Sequence, residues 1–145
     1  MKILISSFSF LLSSLALASV ADFTGTWVGK ATITSTFGVK GSCSSLEIDI
    51  RQTATAIVVT RYHAACDLMD TDWGPSTMQI KGGKLIEDGE EVGSIDESTM
   101  VSNAADSGVL YILNLKKISD TEIDSTYGTK NAVGTISVDG PLKRK

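Results

Sequence analysis

The sequence is poor in the residues from which most reactive centres are built. It has one histidine, His63, and two cysteines, Cys43 and Cys66. A structural metal site draws several of these residue types at set spacing, and that spacing is absent. A general base needs a nucleophile and an orienting partner. His63 precedes Cys66 by three residues, and no nucleophile-elbow sequence accompanies it, so it reads as an ordinary strand-end histidine. No enzymatic activity and no cofactor are expected. Basic residues are also few: 13 Lys and Arg against 17 Asp and Glu, for a net charge of −4 and a pI near 4.9. A nucleic-acid binder would carry a basic face. Long apolar runs are scarce too, with one at the N-terminus and no second, which leaves no membrane span once that run is removed. At 145 residues the chain fits one domain.

The N-terminal run has the form of a secretory signal peptide. Lys2 supplies the positive start, Ile3 to Leu17 is apolar with interspersed serines, and small residues follow in Ala16-Leu17-Ala18 and Ser19-Val20-Ala21. The run falls short of the roughly 20 residues that a spanning helix requires, and no cysteine follows it to carry a lipid. Residues 1–21 are assigned to the signal, with cleavage after Ala21 and the near alternative after Ala18. Residues 22–145 form the single mature domain. Loss of Lys2 takes the net charge from −4 to −5. The expected location is periplasmic or secreted.

What the mature chain has in abundance is a period of two. Leu46, Ile48 and Ile50 alternate with Glu47, Asp49 and Arg51, as in a half-buried strand. Trp27, Gly29, Ala31, Ile33, Ser35 and Phe37 share one face; Lys30, Thr32, Thr34 and Thr36 share the other. Turn signals punctuate this pattern: Gly82-Gly83, Asp88-Gly89, Ser107-Gly108, Gly128 to Asn131, and Asp139-Gly140-Pro141 closing the last strand. The first two suit two-residue hairpins, which need positive φ. No segment shows a helical period. The chain therefore reads as all-β: about eight sequentially connected, antiparallel strands forming an up-and-down β-barrel, with a β-sandwich as the alternative. Ala64 to Pro75 reads as the longest irregular segment.

Export places Cys43 and Cys66 in an oxidising compartment, where one disulfide is the simplest arrangement and two buried thiols the rival. The loop they would close is worth about 3 kcal/mol on the chain-entropy estimate.

The domain opens with Phe23-Thr24-Gly25-Thr26-Trp27, which resembles the F-x-G-x-W signature of the lipocalins and their calycin relatives. The resemblance implies a barrel whose closed end is capped by Trp27, entered through a turn at Gly25. An arginine from the end of the last strand would cover the indole, here Arg144. Topology agrees, because in a closed antiparallel barrel with an even number of strands the first strand begins where the last one ends. The chain lacks the helix that follows the last strand of typical lipocalins.

Two functions follow from these observations. One is an exported lipocalin-like binding protein for a small apolar molecule, a monomer lined by Ile33, Phe37, Ile48, Ile50, Tyr111, Leu113 and Leu115. Its mouth would lie opposite Trp27, near Gly38 to Ser42 and Asp88-Gly89. The other is an interaction module, such as an inhibitor of a secreted hydrolase. From Leu85 to Leu115 there is no lysine or arginine but seven carboxylates, which could steer a basic partner. An apolar void of a few hundred Å³ would favour the first, a filled interior the second. Asp67, Asp70 and Asp72 are the candidates for a calcium ion, although the pattern lacks the terminal glutamate of a calcium loop.

Overall fold

The computed structural model describes residues 19–145. The leader assigned to residues 1–21 therefore lies, up to residue 18, outside the described residues. Eleven strands run through the chain: β1 Gly25–Ser35, β2 Lys40–Gln52, β3 Ala56–Cys66, β4 Asp70–Trp73, β5 Ser76–Lys81, β6 Lys84–Glu87, β7 Glu90–Ile95, β8 Thr99–Asp106, β9 Val109–Ser119, β10 Glu122–Lys130 and β11 Thr135–Arg144. Every pairing between them is antiparallel. The ring closes because β1 pairs with both β2 and β11, while β2 also pairs with β3. This is the up-and-down barrel expected from the alternation, and closure removes most of the unpaired edge that an open sheet would expose.

The strand number is higher than the eight anticipated. The segment Ala64 to Pro75 is not the irregular loop that its three aspartates and its Gly-Pro pair indicate. β3 continues to Cys66, and β4 returns along its upper half with Tyr62 opposite Trp73. β5 pairs with the lower half of the same strand. β4 and β5 thus occupy one position in the wall, separated at a cis Gly74–Pro75 bond. Two turn readings are also corrected. Gly128–Lys130 belongs to β10, and Asp139-Gly140-Pro141 lies inside β11. Pro141 stays compatible with the strand despite its missing N–H because it is opposite Asp124 on β10 while the register with β1 is interrupted between Asp139 and Lys143. The dipeptides Gly82-Gly83, Asp88-Gly89 and Ser107-Gly108 do form hairpin turns, each with positive φ at both residues.

The core fills the end at which β1 begins. Trp27, Phe23, Leu46, Ile48, Ile57, Leu85, Met100, Ile123 and Leu142 are all without solvent exposure. Trp27 donates its indole N–H to the Phe23 carbonyl at 2.8 Å. Its register partner on β11 is Arg144, whose guanidinium carbon sits 4.7 Å from the indole centroid, within cation–π range. Gly25 allows this approach: its φ is +142°, and a Cβ there would meet Arg144 Nε at 3.4 Å. At the other end a disulfide joins Cys43 to Cys66, pinning the start of β2 to the end of β3. Among the described residues no helix is long and apolar enough to cross a membrane.

The residues just before β1 are part of the packing. Ala21 is 5% exposed, and Val20 packs against the core. Ala21 N–H donates to the Asp96 carbonyl at 2.7 Å, and its own carbonyl accepts from Gln52 Nε2 at 2.8 Å.

Candidate ligand-binding cavity

Core side chains fill the Trp27 end of the barrel and leave the opposite end hollow. The hollow has two lobes, of about 280 and 350 Å³. Trp73 from β4, Tyr111 from β9 and Tyr127 from β10 line both. Each of these side chains points inward because the pleat alternates: Tyr111 shares its face with Leu113 and Leu115, and Tyr127 with Ile123 and Ser125. Behind Trp73 lies Tyr62, fully buried and stacked on it with centroids 5.3 Å apart. Tyr62 also meets Tyr127 at 4.6 Å, and Trp73 meets Tyr127 at 5.7 Å. This aromatic group stands between the packed core and the hollow. Burial pushes the Tyr62 and Tyr127 hydroxyls to titrate above the ordinary tyrosine range. Tyr62 Oη and Trp73 Nε1 have no hydrogen-bond partner among the described residues.

One lobe opens at the mouth of the barrel, bordered by Met69, Thr71, Thr129, Ile136 and Val138. The other lies behind a gap in the wall. β6 pairs with β5 only over Gln79–Lys81, and β7 pairs with β8 only over Met100–Ser102. The short β6–β7 hairpin therefore covers the lower wall and leaves Asp70–Trp73 of β4 and Asn103–Asp106 of β8 each with one unpaired edge. Ser76, Glu87, Ser102 and Ala104 line the lobe behind this gap, above Val59 and Met78. Glu87 shares the inward face of β6 with the fully buried Leu85, and it accepts a hydrogen bond from Ser76 Oγ at 3.0 Å.

The sequence-derived lining residues divide. Tyr111 and Leu113 line the cavity. Ile33, Ile48, Ile50 and Leu115 face inward but belong to the packed core. Phe37 does not line the hollow at all and is 66% exposed. Its place in the alternation counted for nothing because β1 stops at Ser35. There Ser35 N–H bonds the Val39 carbonyl and Gly38 N–H bonds the Ser35 carbonyl, which carries Phe37 out onto the turn. Phe37 joins Val39, Leu68, Met69 and Val133 as exposed apolar side chains on the loops and strand ends around the mouth.

The three aspartates do not converge. Asp67 accepts from the Ser42 backbone N–H at 3.0 Å. Asp72 turns outward to Arg61 at 2.9 Å, and that guanidinium holds its carboxyl below the usual carboxylate range. His63 Nδ1 lies 3.6 Å from the same carboxylate. No group of three metal-ligating side chains is present among the described residues. The acidic segment from Leu85 to Leu115 is likewise spoken for in part. Glu91 pairs with Lys84 at 2.8 Å. Asp96 accepts from the Ser98 and Thr99 backbone N–H groups, which hold its carboxyl low. Glu87 turns into the barrel.

Ser76, Met78, Glu87, Ser102, Ala104 and Tyr127 line the cavity in phase with the strand alternation, although the sequence did not single them out. Counting in steps of two from Leu85 reaches Glu87, and from Ile80 it reaches Met78 and Ser76. Trp73 also lines it, from the end of β4, a segment whose composition reads as loop.

The fold defined here is an all-β, antiparallel barrel that is packed at one end and hollow at the other. No protein-family model matches the chain, and no curated protein matches it by sequence. Among solved structures, the S-type phycobiliprotein lyase CPES from Guillardia theta matches with a TM-score of 0.58 at 9% identity, over 85% of this chain and 88% of that one. A redesigned β-barrel, mFAP1, bound to DFHBI matches with a TM-score of 0.46 at 14% identity, over 83% of this chain and 94% of that one. EF1p2_mFAP2b, also bound to DFHBI, gives 0.48 at 11% identity, over 84% and 93%. The likeness is one of fold alone.

Proposed function

We propose that this protein is an exported, lipocalin-like barrel that binds a small, largely apolar molecule in the hollow end. The observation that carries this reading is the cavity itself, a few hundred Å³ walled by Trp73, Tyr111, Tyr127, Met78 and Leu113 and opening away from Trp27. Cavities of this size and lining suit small molecules. The S-type phycobiliprotein lyase matches this barrel fold without lending the chain its role. A fold alone does not assign one.

The test is a titration with the neutral fluorescent probe N-phenyl-1-naphthylamine. Fluorescence should rise and saturate at one equivalent. Ala104→Trp, which fills the lobe behind the wall gap, should weaken the binding at least tenfold while the melting temperature stays close to that of the parent. If no probe, whether neutral, cationic or anionic, gives a saturable signal, the carrier reading fails.

Export belongs to the same proposal, with cleavage after Ala18. Cleavage after Ala21 would remove the Val20 contact and both hydrogen bonds of Ala21, whereas cleavage after Ala18 keeps them. Protein recovered from the exported fraction of a host should have an N-terminal sequence beginning Ser19-Val20-Ala21. A start at Asp22 would show that this packing is dispensable, and an uncleaved Met1 would remove the signal assignment.

A further inference from the structure

The hollow end holds one chemical feature that an apolar ligand does not need. Glu87 is an inward-facing carboxylate in a barrel interior, and it shares its lobe with Trp73, Tyr111, Tyr127 and Met78. The side chain is half-buried, so water screens its charge only in part. The partner found for it is a neutral one, the Ser76 hydroxyl. No lysine, arginine or histidine lines either lobe. The basic side chains nearby in sequence are engaged elsewhere or face outward: Lys84 pairs with Glu91 across the outside of the β6–β7 hairpin, and Arg61 pairs with Asp72 on the outer face of β3 and β4. The cavity therefore combines Glu87 in one lobe, and Asp70 and the Arg61-paired Asp72 at the border of the other, with three aromatic faces from three different strands. That combination favours a positive charge, since the face of an indole or phenol ring attracts a cation and does so more strongly when water is excluded. It disfavours a carboxylate-bearing ligand such as a fatty acid, which would bring like charges together in one cavity.

On the reading that the cavity binds a small molecule, we infer that its ligand is an organic cation. The class is an ammonium or quaternary ammonium group on a small apolar or aromatic body, with the charge directed to Glu87 and the body against Trp73, Tyr111 and Tyr127. The protein's net negative charge would also raise the local concentration of such a ligand.

Phenyltrimethylammonium and tert-butylbenzene have the same shape and differ in charge, and benzoate supplies the opposite sign. Binding of each to the full mature protein is measured by calorimetry and by quenching of tryptophan fluorescence, with Trp27 buried away from the cavity. The cation should bind at least about tenfold more tightly than tert-butylbenzene, and benzoate more weakly than both. Glu87→Gln should cut the affinity for the cation about tenfold and leave that for tert-butylbenzene unchanged. Tyr111→Leu, at a partly exposed position, should likewise weaken the cation more than its neutral isostere. Equal affinity of cation and isostere would overturn the inference and leave the carrier reading standing. So would equal weakening of both by Glu87→Gln, which would make Glu87 a structural clasp for Ser76. Failure of all three probes to bind would remove the carrier reading as well.

Discussion

Trp27→Ala is expected to lose about 3–5 kcal/mol of stability, the range for truncating a large, fully buried aromatic. The side chain has no solvent exposure. It fills the closed end, and its indole N–H donates to the Phe23 carbonyl just before β1. A domain of this size has about 5–15 kcal/mol in total, so the variant should be close to unfolding at 37 °C. Arg144→Ala should cost less, about 1 kcal/mol, because the guanidinium covers the indole from a wet position and contributes through the cation–π contact and its alkyl stem. Urea melts of both variants should rank them in that order. A Trp27→Ala midpoint equal to that of the parent would show that the closed end is not held by this residue.

The second large effect is expected from the disulfide. Cys43, itself buried, and Cys66 are register partners at the end of the barrel opposite Trp27, so covalent restraint acts where the cavity opens. The bond spans a sequence separation of 23, and its loss should cost about 3 kcal/mol through the added freedom of the unfolded chain. The Cys43→Ala, Cys66→Ala double variant tests this without leaving one thiol free to react. Intact mass after alkylation should show no modified cysteine in the native protein and two after reduction. A double variant as stable as the parent would mean that the β2–β3 ladder alone holds the mouth. Because the cavity opens at this end, ligand affinity should fall along with stability.

Alternation made much of the fold legible. Leu46, Ile48 and Ile50 announce β2, and the positive-φ dipeptides mark three hairpins, because the side-chain period of a strand and the steric demands of a tight turn are local properties. Closure was legible as well. Trp27 and Arg144 lie at opposite ends of the domain, but an even-stranded barrel brings those ends together, and the F-x-G-x-W resemblance pointed to the same pair. Strand boundaries were less legible. β4 carries aspartates and borders Gly74-Pro75, a composition that locally reads as loop; it is a strand because β3 offers it a ladder. Pro141 and Gly140 read as a terminator for the same local reason, and lie inside β11 because β10 and β1 flank them.

The sequence by itself determined the all-β architecture, which follows from periodicity; one disulfide was the simplest of two arrangements for its cysteines, and the aromatic cap was what the F-x-G-x-W resemblance implied. Only the tertiary structure decided where the barrel is filled and where it is hollow. Ile33, Ile48, Ile50 and Leu115 have the same inward phase as Tyr111 and Leu113, and sequence phase cannot tell a side chain that meets a packed neighbour from one that faces empty space. That difference arises from strands remote in sequence: Tyr62 against Tyr127, Trp73 against Tyr62, and a hairpin too short to cover the upper wall. The same remoteness hid Glu87, one acidic residue among seven in its segment, whose inward position acquires meaning only beside the aromatic rings that β4, β9 and β10 bring to it.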